Sequence, residues 1–280
     1  MKTRNHTSKP LPQVPILTPT PSWLQHYSPL LQQARIFSNQ DQEQEALELA
    51  LADYKRTPSL NALEQAFDSY LSLKQTENAK KLLKDMKQLG ASETFLNLQK
   101  TVYYIVLEKF KSAKLYLNKV SSNQKELDTQ HRCYFHFAQG FLSFTTDHPQ
   151  TFPFTQALRY DYLLMPSELS MTHVLRGLIR LENEAYEAAY QDAQSALHAY
   201  TPTNDDAVYY LRALSGYYAG HCTHIFQDIE HCLKSKDPQI TKRMKQTLRE
   251  LRQLLPNSPV IIDADFSKAL RHYFLMLRKI

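Results

Sequence analysis

Glycine is scarce in this chain: only five of its 280 residues are glycine, about 2% against a usual ~7%. Nucleotide-binding folds cradle phosphates with loops of closely spaced glycines, and a catalytic nucleophile often sits in a glycine-containing turn. The composition therefore argues against Rossmann, P-loop and kinase folds. We expect a protein that is not an enzyme and that carries no cofactor.

Cysteine and long apolar runs are also scarce. The chain has three cysteines, Cys133, Cys222 and Cys232. This number is odd, and a chain of this length does not need disulfide bonds for stability, so a reducing compartment is favoured over a disulfide framework. The first 22 residues hold no apolar run of signal-peptide length, and no stretch approaches the ~18 apolar residues of a membrane span. We expect a cytoplasmic protein.

The residues that are abundant point to an ordered fold. Apolar residues make up 42% of the chain and charged residues 22%, with 17 tyrosines and 13 phenylalanines, a composition unlike that of disordered proteins. Five of the 14 prolines fall within the first 22 residues, so residues 1–22 are predicted to form a disordered, proline-rich tail. Pro12 and Pro15 form one PxxP motif, which is either part of a solvated extension or a ligand for an aromatic groove.

Paired helical patterns follow this tail. Residues 60–73 and 76–89 show them best, because apolar residues recur at spacings of three and four on one face of each segment. Lys74 to Asn78 is predicted to be the short turn between the two helices, and Gly90 ends the second. The apolar faces consist of Leu63, Ala66, Phe67 and Tyr70 in the first helix, and of Ala79, Leu82, Leu83 and Met86 in the second.

The same pattern recurs at a period of about 34 residues. In one copy, Gly177 lies where two helices would approach closely, Tyr186 would fill the wedge between them, and alanines follow at 189, 193 and 196. This run resembles the tetratricopeptide repeat. About five units are recognisable. In the unit between about 131 and 168, Gly140 fits the small position, but the unit is degenerate because Thr145 to Pro153 lengthens its turn.

The resemblance implies an all-α fold: a right-handed α-solenoid of antiparallel helix pairs with C-terminal capping helices. We expect the repeat array over residues 23–238 and basic, capping helices over residues 239–280.

The first helices of the middle units are more apolar than one buried stripe requires. We therefore predict a second apolar set that lines a concave groove and holds an apolar or amphipathic segment of a partner protein, as in an adaptor or chaperone. The alternative is that the degenerate unit and the C-terminal helices cover this surface. The predicted lining residues are Leu96, Tyr103, Val106, Phe135, Leu142, Leu175 and Ile179.

Positive charge is concentrated in the C-terminal region. A basic face on the helix predicted near 239–255 is interpreted as a solvated surface, with an acidic protein or nucleic acid as alternative partners. Binding of nucleic acid is the alternative function, although this helix has no aromatic residue to stack on a base. The basic residues are Lys242, Arg243, Lys245, Arg249 and Arg252.

Metal-ligand residue types gather only between His221 and Cys232. His224, Asp228 and Cys232 are spaced by four, so in a helix they would share one face and resemble a three-ligand zinc site. The turn and second helix of a repeat explain the same residues without a metal. We predict no metal here.

Overall fold

The computed structural model describes most of the chain between residues 20 and 232. It divides the chain into two compact units, Met1–Gln99 and Lys100–Ile280, with the boundary inside one helix. The described residues are 20–145, 149–199, 206–221, 224, 227, 228, 231 and 232. The predicted tail up to residue 19 and the predicted C-terminal helices lie outside them.

The first unit consists of consecutive helices, each packed on the next. The first helix packs on the second, the second on the third and the third on the fourth, and the first also contacts the third. These helices are α1 (Pro29–Asn39), α2 (Glu43–Arg56), α3 (Leu60–Ser72), α4 (Thr76–Gln88) and the first half of α5 (Glu93–Val106).

The second unit continues the series. Neighbouring helices from α6 to α11 again pack on each other in chain order. The described residues contain no strand, so the prediction of an all-α fold is confirmed for them. The remaining helices are α6 (Phe110–Asn123), α7 (Thr129–Phe144), α8 (Thr151–Ala157), α9 (Pro166–Glu182), α10 (Tyr186–Ala199) and α11 (Asp206–Ala219).

One turn recurs after α1, α3, α5, α9 and α11. In each copy a residue adopts a positive φ of 58–83°, and the next backbone N–H donates to the carbonyl five residues earlier at 2.7–2.9 Å. This is the Schellman arrangement, which satisfies carbonyls left free at a helix end. The positive-φ residues of these five turns are Asp41, Lys74, Glu108, Glu184 and Gly220. Gly90 forms the same arrangement at the end of α4, with a φ of 85° and the N–H of Ala91 donating to the carbonyl of Met86 at 3.1 Å.

The spacing of these turns confirms the repeat. Asp41, Lys74 and Glu108 are 33 and 34 residues apart, and Glu184 and Gly220 are 36 apart. The structure is thus a series of helix pairs with the predicted period. The predicted helices at 60–73 and 76–89 match α3 and α4 to within one residue. The turn between them consists of residues 73–75 and is shorter than the predicted turn from Lys74 to Asn78.

Side-chain caps begin the first helix of four pairs. The hydroxyl oxygen of Ser28 accepts the N–H of Leu31, and the hydroxyl oxygen of Ser59 accepts the N–H of Ala62, both at 3.2 Å. Ser92 and Asp128 cap α5 and α7 in the same way. A side-chain oxygen satisfies one of the N–H groups that a helix start leaves free.

The degenerate unit comprises α7 and α8. We expected a long turn through Thr145 to Pro153, but α8 already begins at Thr151, because proline is tolerated in the first turn of a helix. The buried ring of Phe154 packs directly over Gly140, where an added Cβ would lie 2.8 Å from the ring. Gly140 therefore is the close-approach position that the sequence predicted.

Gly177 is the second close-approach position. A Cβ placed on it would lie 2.6 Å from Cδ2 of Leu211 and 3.0 Å from Cβ of Asp192. Glycine here lets α9 approach both α10 and α11.

We predict that Gly177→Ala lowers the free energy of unfolding by about 1–3 kcal/mol, because the added methyl overpacks a closed contact. Urea denaturation followed by circular dichroism measures this change. Asn118→Ala on the exposed face of α6 is the control and should shift stability by less than ~0.5 kcal/mol. An alanine variant at 177 as stable as the control would contradict the close packing.

Candidate functional site

The predicted groove residues are core residues in the structure. Six of the seven are at most 6% exposed, and only Val106 is half-buried. The prediction that they line an open groove is therefore wrong for Leu96, Tyr103, Phe135, Leu142, Leu175 and Ile179.

Packing around α9 explains the second apolar set. This helix contacts α7, α8, α10 and α11, so it needs more than one apolar stripe to fill its surroundings. Leu175 and Ile179 are completely buried as part of this packing. An apolar excess on a first helix thus reflects several neighbours within the fold.

A buried carboxylate organises the polar side of α9. Asp192 on α10 is 2% exposed and accepts hydrogen bonds from Arg176 at 2.6 Å and Arg180 at 2.8 Å. Nδ1 of His173 lies 3.2 Å from the same carboxylate. Both arginines thus lie on the side of α9 that faces α10.

An equivalent ion pair lies one unit later. Arg212 on α11 binds the buried carboxylate of Asp228 through two nitrogens, at 2.6 and 2.8 Å. Arg212 and Asp228 each lie 36 residues after Arg176 and Asp192. These pairs were not predicted from the sequence, although an arginine followed sixteen residues later by an aspartate occurs in both repeats.

Opposing effects act on the pKa of Asp192. Burial alone would raise it, but hydrogen bonds from His173 and Arg176, together with the charges of Arg176 and Arg180, hold it below the usual 3.8. The carboxylate is therefore ionised at neutral pH, as a buried anion surrounded by cations should be.

The residues considered as metal ligands make contacts with other side chains that differ from the contacts in a zinc site. Asp228 is bound by Arg212, Cys232 is buried, and the ring of His231 packs on Tyr209 at 3.8 Å between centroids. Within the described part of the chain, which includes His224, no three His, Cys, Asp or Glu side chains are arranged to hold a metal ion.

The buried Cys133 is a poor nucleophile. Burial, with smaller contributions from Glu168 and Asp161, raises the pKa of its thiol to about 12. Its sulfur donates a hydrogen bond to the carbonyl of Ala157 at 3.2 Å. Since the thiolate is the reactive form of cysteine, this side chain has a packing role between α7 and α8.

The basic residues predicted near the C-terminus, Lys242, Arg243, Lys245, Arg249 and Arg252, lie outside the described residues. Four large apolar side chains are exposed in the described part. They are Leu89 (38%), Leu115 (57%), Phe152 (66%) and Tyr162 (53%).

No protein-family model, curated protein or solved structure matches the chain. Across the part of the chain that the structure describes, every helix is too short or too polar to cross a bilayer.

We predict that Asp192→Asn costs about 3–5 kcal/mol of stability at pH 7, because it leaves two arginines and a histidine without their anion. A carboxylate whose pKa is lowered by folding stabilises the fold at pH values above its pKa in the unfolded chain. This contribution is lost as the pH falls through its pKa in the folded protein. The difference between the wild type and the variant should therefore shrink below about pH 4.

Urea titrations at pH 7 and at pH 3 measure both effects. Glu48→Gln on the exposed face of α2 is the control, with no measurable shift expected. A cost of Asp192→Asn that is the same at both pH values would show that the carboxylate charge is not the cause.

Proposed function

We propose that this chain is a non-enzymatic scaffold that binds a segment of another protein, as an adaptor or chaperone. Its helix pairs form a tetratricopeptide-type, right-handed solenoid in which the two helices of each pair are antiparallel. We place the protein in the cytoplasm, because three cysteines, an odd number in a chain of this length, suit a reducing environment.

The repeated turn is the observation that carries this proposal. Five copies of one hydrogen-bonded turn each follow the first helix of a pair. Stacked helix pairs offer a large surface for protein ligands. The repetition supports a binding role because each added helix pair adds surface that a partner protein can contact.

Two of the four large apolar side chains that are exposed among the described residues lie in the degenerate unit. Phe152 on α8 and Tyr162 in the 3-10 helix Leu158–Leu163 are 66% and 53% exposed. Between them, Phe154 is completely buried against Gly140 and holds α8 in place. Exposed aromatic residues on a fixed helix are typical anchors at protein interfaces. We therefore assign partner binding to Phe152 and Tyr162 in place of the buried groove residues.

Site-specific photo-crosslinking tests this assignment. A benzophenone amino acid is placed at 152, at 162 or, as a control, at the exposed Gln191 of α10 in the following repeat. We expect one discrete protein adduct from positions 152 and 162 in the native host, and none from position 191.

The adduct should disappear when Phe152→Ala is combined with the crosslinker at 162, because the anchor is removed while the folded core is untouched. No adduct at either aromatic position, or equal adducts at all three, would refute binding at the degenerate unit.

A further inference from the structure

Helix α6 has an exposed face of lysines without acidic residues. Lys111, Lys114 and Lys119 are exposed, and Leu115 lies among them with 57% of its surface accessible. In the described residues none of these three lysines forms an ion pair with a carboxylate. We call Lys111, Lys114, Leu115 and Lys119 the lysine face.

The lysine face differs in charge from the matching surface of the preceding repeat, which is on α4. The turns at Lys74 and Glu108 are 34 residues apart, so Lys111 and Lys119 correspond to Glu77 and Asp85 of α4. In α4 these acids offset part of the lysine charge, whereas α6 has lysine at both positions. The two helices thus differ in that two acidic residues of α4 are replaced by two lysines at the corresponding positions of α6.

Aromatic contacts position the cations at one side of this face. The rings of Tyr104 and Tyr116 are stacked, with centroids 5.4 Å apart and planes within 6°. The Nζ atoms of Lys119 and Lys100 lie 5.1 and 5.4 Å from the Tyr116 ring centroid. Cation–π attraction of this kind restricts a lysine that would otherwise be free to rotate.

The composition of the lysine face selects among anionic partners. Nucleic-acid phosphates are bound best by arginine forks, which are missing from α6, and the ring faces of Tyr116 are occupied rather than open to a base. A lipid surface needs a broad apolar face beside the charges, but Leu115 is the one large apolar side chain exposed on α6. A protein segment with carboxylates around one apolar side chain matches both features.

We propose that the lysine face binds an acidic segment of a partner protein, with Leu115 contacting an apolar residue of that segment. This inference does not depend on the surface at Phe152 and Tyr162, because different residues carry it. Charge complementarity of this kind mainly accelerates association and weakens as salt rises.

Fluorescence anisotropy with a labelled peptide of glutamates and leucines tests the proposal. Lys111→Gln, Lys114→Gln and Lys119→Gln are combined in one variant, and Lys80→Gln, Lys84→Gln and Lys87→Gln in α4 form a control with the same change in charge. We expect the α6 variant to bind about tenfold more weakly and the control within about twofold of the wild type.

Leu115→Gln separates the apolar contact from the charges. It should weaken binding by about three- to tenfold, whereas Leu89→Gln near the end of α4 should have no effect. A peptide with glutamines in place of glutamates should bind neither the wild type nor the α6 lysine variant. Circular dichroism confirms that each variant keeps its helices.

Several results would overturn the proposal. One is an equal loss of affinity in the two lysine variants, or no binding of the peptide to the wild type. Another is tighter, Lys111-dependent binding of a single-stranded oligonucleotide or of phosphatidylserine vesicles, which would assign the lysine face to a different partner. Self-association of the wild type that the α6 variant abolishes would assign it to a second copy of the chain.

Discussion

The left-handed turn that follows α1, α3, α5, α9 and α11 is the constraint on which the structure depends. It places a residue at positive φ, and in four of its five copies that residue is not glycine. A non-glycine residue in this conformation costs roughly 1 kcal/mol. Two backbone hydrogen bonds per turn, together with packing between the paired helices, offset this cost. The residue keeps its positive φ because the packed helices on both sides of the turn fix the path of the backbone between them.

The close helix contact and the buried ion pairs both depend on how the paired helices are aligned along each other. Gly177 brings α9 against α10, and the same pairing puts Arg176 and Arg180 over the carboxylate of Asp192. Arg212 and Asp228 repeat the arrangement one unit later. A buried ion pair contributes little net stability, but a mismatched helix pair would leave its charges unpaired at a high cost. The arginine–aspartate pairs thus favour one register over its neighbours.

Sequence periodicity predicted the helices and their repeat, because a helix that buries one face leaves a pattern at spacings of three and four. The small residues at Gly140 and Gly177 were also readable, since their positions recur with the repeat. The surface of the predicted groove residues could not be predicted from the sequence. The burial of Leu175 and Ile179 depends on how many helices surround α9, and a local sequence pattern does not give that number. The aspartate partners of Arg176 and Arg212 were missed for a related reason: they lie on a different helix, sixteen residues away.

The most direct test of the repeated turn is hydrogen exchange of its donor amides by NMR. The account predicts that the N–H groups of Gln42, Gln75, Lys109, Ala185 and His221 each exchange at least ~100-fold more slowly than in an unstructured peptide. Each of these groups donates to a carbonyl five residues earlier. Exchange at unstructured rates in these five positions would contradict a fold built from one repeated turn.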